Sequence, residues 1–97
     1  MVLEVALIDV LPGHEDGFAA AYAQARGLLT AAEGCRSVRM TRGVETPTRF
    51  VLLVEWDSVE AHDQNFRATE SFGKWRALIG PHFAGPPRVE HFVDVPA

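Results

Sequence analysis

The stretch Val51 to Arg76, VLLVEWDSVEAHDQNFRATESFGKWR, decides the fold. It opens with four apolar residues in succession, Val51, Leu52, Leu53 and Val54, so a strand here seeks cover on both faces. The strand ends at Trp56 and a helix begins at Asp57-Ser58. Asp57 stands where it can accept from first-turn amides, and Glu60 follows three residues on, as in a capping box. His62, Asn65, Phe66, Arg67, Phe72, Trp75 and Arg76 then crowd aromatic and hydrogen-bonding side chains into one short segment. Such a strand, ending in Trp and feeding such a helix, predicts a small-molecule pocket.

Upstream, residues 2–11 alternate as a strand. Val2, Ala6, Ile8 and Val10 point one way and Leu3, Val5, Leu7 and Leu11 the other, while Glu4 and Asp9 interrupt opposite faces. Pro12-Gly13 turns the chain. Residues 14–33 carry an apolar stripe of Phe18, Tyr22, Ala25, Leu29 and Ala32 at helical spacing, with Glu15 and Asp16 in the first turn and Gly34 as terminator. Residues 35–44 alternate again, with Val38, Met40 and Val44 inward. A loop around Pro47 then leads into the apolar strand 49–56.

Downstream of Ser58 the helix is expected to break near Ala68-Thr69, with Thr69 capping a second piece that ends at Gly80-Pro81. Residues 88–95 form the last strand, with Val89, His91, Val93 and Val95 on one side. The order β-α-β-β-α-β predicts an α+β, ferredoxin-like fold: a four-stranded antiparallel sheet with both helices on one face. The first and third strands are apolar on both faces, and no further element remains to cover the second one. A second copy packed sheet against sheet is therefore expected.

The composition narrows the function. Ninety-seven residues make one small domain, 1–97, with ordinary hydrophobic and charged fractions of 47% and 23%. A net charge of −4 argues against a nucleic-acid surface, and no apolar run approaches a membrane span. The start MVLEVALIDVLPG lacks the basic opening of a secretory leader, and the single Cys35 cannot close an internal disulfide, so a cytoplasmic location is expected. His14, His62, His82 and His91 show no ligand spacing, and no phosphate-binding glycine loop or nucleophile elbow occurs. Neither a metal nor another cofactor is expected.

Trp56-Asp57-Ser58, Glu60-Ala61-His62, Asn65-Phe66-Arg67, Phe72, Trp75-Arg76 and Pro86-Pro87, together with Phe18, Gly34 and Pro47, resemble the antibiotic biosynthesis monooxygenase family. The resemblance implies a dimeric α+β barrel. In the family's quinone-forming oxygenases the pocket carries an Asn before a Trp on the third strand, a Tyr early in the next helix and an Arg near its end. Trp56 and Arg76 match, His62 stands for the Tyr and Leu52 for the Asn. The haem-degrading pattern is absent: residues 1–11 hold no Asn, and Trp75-Arg76 replaces the expected His.

The chemistry expected is that of a cofactor-free monooxygenase acting on a small electron-rich aromatic such as a hydroquinone, a naphthol or a polyketide-like ring. His62 would take a proton and Arg76 would hold the resulting anion. Trp56, Asn65, Phe66, Tyr22, Leu52 and Trp75 would bind the ring. Two alternatives stand beside this reading: a ligand-binding or stress-associated dimer without catalysis, and another cofactor-free enzyme such as an isomerase or decarboxylase. A solvent-facing His62, an ion-paired Arg76 and a purely structural Trp56 are the plainer explanations of the same residues.

Overall fold

The computed structural model describes residues Met1–Ala97. Its elements are β1 (Val2–Asp9), α1 (Glu15–Thr30), β2 (Cys35–Arg42), β3 (Arg49–Trp56), α2 (Val59–His62), a π-helical turn (Asp63–Arg67), α3 (Glu70–Ile79), a 3-10 turn (Gly80–His82) and β4 (Arg88–Phe92). The four strands form one antiparallel sheet in the order β2-β3-β1-β4, and the helices cover one face, which is the ferredoxin-like arrangement.

Register follows from which side chains must be dry. On β3, Phe50, Leu52, Val54 and Trp56 are all buried, and on β1 Glu4, Ala6 and Ile8 lie on the same face. Across the β1–β3 ladder Ala6 pairs with Leu52 and Glu4 with Val54, so the two central strands pool one apolar surface beneath the helices. Phe18, Ala25 and Leu29 of α1 and Trp75 and Ile79 of α3 close over it. Val10 extends the surface through a single bridge to Phe83.

Several ends differ from the sequence reading. The first strand stops at Asp9 and α1 at Thr30, and the last strand stops at Phe92. Val44, Val93 and Val95 are 87%, 70% and 90% exposed, because they lie beyond the paired strands and have no ladder to hold them inward. Gly34 does not end α1. It sits later, at φ +90°, in the turn into β2, where it accepts from Asp57 N. Ser58, rather than Asp57, caps α2 by accepting from Ala61 N at 3.1 Å, while Asp57 is ion-paired with Arg36. Thr69 holds the capping position of α3 but donates backwards to Phe66 O at 2.7 Å.

The turn at Gly34 has no room for a side chain. A Cβ there would lie 2.8 Å from the Ala61 Cβ, on a backbone conformation that L-residues avoid. Gly34→Ala is expected to destabilise the fold by more than the ~1 kcal/mol gained or lost at ordinary glycine sites. Urea denaturation gives the value, and an unchanged midpoint would show that the β2 entry can shift freely.

Candidate functional site

A cavity of about 130 Å3 lies between the sheet and the helices. Its floor is Ala6, Ile8 and Leu52, and its aromatic walls are Phe66, Phe72, Trp75 and Phe83. Four polar or charged side chains break the apolar lining: Glu4, His62, Arg67 and Arg76. That combination of apolar walls and a few polar groups is the lining typical of small-molecule pockets, although the volume is below their usual range of about 300–1,000 Å3.

Glu4 is the group that sequence reading passed over. Alternation on β1 puts it on the helix-covered face, where it is only 4% exposed. Its Oε1 accepts from Trp56 Nε1 at 2.9 Å, and His62 Nε2 approaches the same oxygen at 3.3 Å. Burial pushes the Glu4 carboxyl above the usual carboxylate range, against the hydrogen bond from Trp56 and the positive charge of Arg67. The sequence signal was a lone acid among alternating apolar residues, with an indole available on a neighbouring strand.

His62 is equally dry, at 3% exposed, and its ring stacks on Trp56 with centroids 4.9 Å apart. Its Nδ1 lies 2.8 Å from His91 Nε2, and β4 sets His91 opposite Glu4 in the ladder. Burial first, and then the charges of Arg67 and His91, hold the His62 pKa down to about 4 from 6.5, with Asp63 pulling the other way. The imidazole is therefore neutral at physiological pH. It is not a solvent-facing residue.

Arg76 is exposed at the cavity's rim, and its guanidinium stands 5.8 Å and 5.6 Å from the Phe72 and Phe83 ring centroids. No acid within salt-bridge distance claims it, whereas Arg67 is tied to Asp63 at 3.3 Å. Of the other residues singled out from the sequence, Leu52, Phe66 and Trp75 line the cavity. Trp56 reaches it only through its contacts with Glu4 and His62. Tyr22 packs edge-on against Trp75, 6.3 Å between centroids, behind the wall.

Asn65 is the residue that the structure takes away from the site. It donates to Glu33 O at 2.7 Å on the opposite side of the helix. The expectation that it shares a face with His62 assumed a regular α-helical period. Instead Ala68 N bonds to Asp63 O, a five-residue step, and the widened π turn delivers Phe66 and Arg67 to the cavity while Asn65 faces away. No group of three or more His, Cys, Asp or Glu side chains converges as a metal-binding set. No helix is long and apolar enough to cross a membrane.

A four-stranded sheet with helices on one face and a cavity of mixed lining between them defines a small α+β protein. The model of the antibiotic biosynthesis monooxygenase family matches residues 1–78, and the chain belongs to that family. A Bordetella bronchiseptica protein assigned to the same family shares 44% identity, covering 97% of this chain and 96% of its own, with a TM-score of 0.93. The uncharacterized protein YczJ of Bacillus subtilis is 33% identical over 98% of this chain and its own full length. SnoaB, a cofactor-independent oxygenase from Streptomyces nogalater, has the same fold at a TM-score of 0.84 and 14% identity, covering 99% of this chain and 94% of its own.

The two buried titratable groups act on stability in opposite senses. A raised Glu4 pKa favours folding below pH 4.5 and loses that contribution as pH rises through the folded value. A His62 pKa lowered to about 4 favours folding above 6.5, and that contribution is lost as pH falls through the folded value. Glu4→Gln removes only the first effect. Its stability relative to the parent protein is expected to rise between pH 5 and pH 8 in chemical denaturation. A difference that stays constant over that range would mean the carboxylate is not held above its ordinary value.

Proposed function

We propose that this protein is a cofactor-independent monooxygenase acting on a small electron-rich aromatic, of hydroquinone or naphthol type. The observation that supports this most is the cavity itself, whose lining combines an unpaired guanidinium at the rim, the buried Glu4 carboxyl, a neutral imidazole and aromatic walls. A phenol or enol bound there gives up its proton to the Glu4–His62 end, and Arg76 offsets the charge of the anion left behind. That anion is electron-rich enough to reduce dioxygen directly, so the protein supplies binding, proton transfer and exclusion of water. Membership of the family and the fold shared with SnoaB favour the same reading.

Leu52, on the cavity floor, favours a second reading: binding without turnover. It presents a methyl surface where the quinone-forming oxygenases are expected to present an amide. Oxygen uptake in the presence of a panel of hydroquinones separates the two. Uptake with release of a quinone supports the oxygenase. Saturable binding without uptake favours the binding protein. In either case Arg76→Ala is expected to weaken binding of an anionic aromatic by about 1.5–3 kcal/mol, measured by calorimetry. Unchanged affinity would remove Arg76 from the site.

The proposal includes a homodimer formed through the open face of the sheet. Leu3, Val5 and Leu7 of β1 and Val51 and Leu53 of β3 are half-buried there and adjacent in register, and Phe92 of β4 is 45% exposed beside them. Arg39, Glu55, Arg88 and Glu90 flank this stripe with charges of both signs. A second copy of the same face would bury the apolar centre and leave the charges at the rim. Light scattering at micromolar concentration is expected to give twice the 10.7 kDa of the chain. A monomer would leave the stripe without its proposed cover.

A further inference from the structure

The geometry points to Glu4 as the group that exchanges a proton with the substrate, with His62 as a positioning residue whose tautomer is set by His91. This rests on the acid–base reading of the cavity above and replaces His62 in the role of base. Both ring nitrogens of His62 already face protein atoms, Nδ1 towards His91 Nε2 at 2.8 Å and Nε2 towards Glu4 Oε1 at 3.3 Å. Nδ1 is engaged by His91, and Nε2 has the Glu4 carboxyl close beside it. Glu4 is differently placed. The indole of Trp56 and the imidazole of His62 converge on one oxygen, Oε1, and the carboxylate itself lines the cavity. Its second oxygen, Oε2, is the one not drawn into that pairing.

The proposal assigns the proton of the His62–His91 contact to His91 Nε2, which puts the proton of the neutral His62 on Nε2, the nitrogen nearer Glu4. The Trp56 indole then donates to Oε1 at 2.9 Å and His62 Nε2 stands 3.3 Å from the same oxygen, which leaves Oε2 as the oxygen that exchanges the proton. The charged and titratable groups around it come from each neighbouring element: His62 from α2, Arg67 and Asp63 from the π turn, Arg76 from α3, His91 from β4 and Cys35 from β2. Burial raises the affinity of Glu4 for a proton, which suits a base acting on a weak acid.

In the transfer itself, the substrate's C–H or O–H bond breaks and its electron pair stays on the substrate as an enolate or phenolate. An O–H bond forms on Glu4 Oε2, and Arg76 sits against the new anion. The reverse transfer restores both groups. No oxidant enters this step, so it can be measured apart from any reaction with dioxygen.

The test is deuterium incorporation into 2-tetralone, an enolisable benzo-fused ketone, in oxygen-free D2O, followed by NMR. The parent protein is expected to accelerate exchange, and Glu4→Gln to lose about 100-fold or more of that rate. His91→Gln, which keeps an N–H donor, is expected to stay near the parent rate. His91→Phe is expected to lose about 10-fold through the misplaced His62 tautomer. Nitrogen-15 imidazole spectra of the unmodified protein, which depend on no variant folding, are expected to show the His62 proton on Nε2. Exchange that survives in Glu4→Gln but vanishes in His62→Gln would overturn the assignment in favour of His62. A parent protein without exchange activity, or a His62 proton on Nδ1, would overturn it as well. Exchange that depends on Glu4 without oxygen uptake on hydroquinones would uphold Glu4 and remove the oxygenase reading.

Discussion

A carboxylate placed on the dry face of a sheet constrains everything near it. Glu4 occupies a position on β1 that alternation otherwise gives to Ala6 and Ile8, and there it is largely withdrawn from water. An unpaired charge in that setting costs several kcal/mol, so the surrounding chain must supply donors. Trp56, at the end of β3, supplies its indole N–H, and His62, just past the first turn of the next helix, stacks on that indole and points a nitrogen at the same oxygen. The end of β3, the cap at Ser58 and the start of α2 are thus held together by one buried acid.

The cavity is a consequence of the same region. A regular helix from Ser58 to Ile79 would have kept a constant face towards the sheet. The π turn at Asp63–Arg67 and the break before α3 widen the spacing, so Phe66 enters the wall and Arg67 comes close enough to act on both Glu4 and His62. Arg76, one turn before the end of α3, then marks the mouth. Positive charge at the rim and buried proton-holding groups within give the cavity a polarity from one end to the other.

Much of this was open to reading in one dimension. The alternation on β1 and β3, the apolar stripe on α1, the turn residues and the order of elements all act over a few neighbouring residues, and together they determined the ferredoxin-like sheet and the side of it that carries Trp56 and Leu52. The same alternation put apolar side chains on the open face, and the resemblance carried by Trp56, His62 and Arg76 already indicated the family. The tertiary structure decided what depends on contacts between distant elements. Asn65 left the site because the π turn at Asp63–Arg67 changed its direction, and no local propensity announces such a turn. Glu4 entered because a lone acid in a strand reads as an interruption until the indole of Trp56 and the imidazole of His62, more than fifty residues away, are seen to meet it. Burial of a polar group is a property of everything packed around it, and the sequence lists those neighbours without saying which of them will touch.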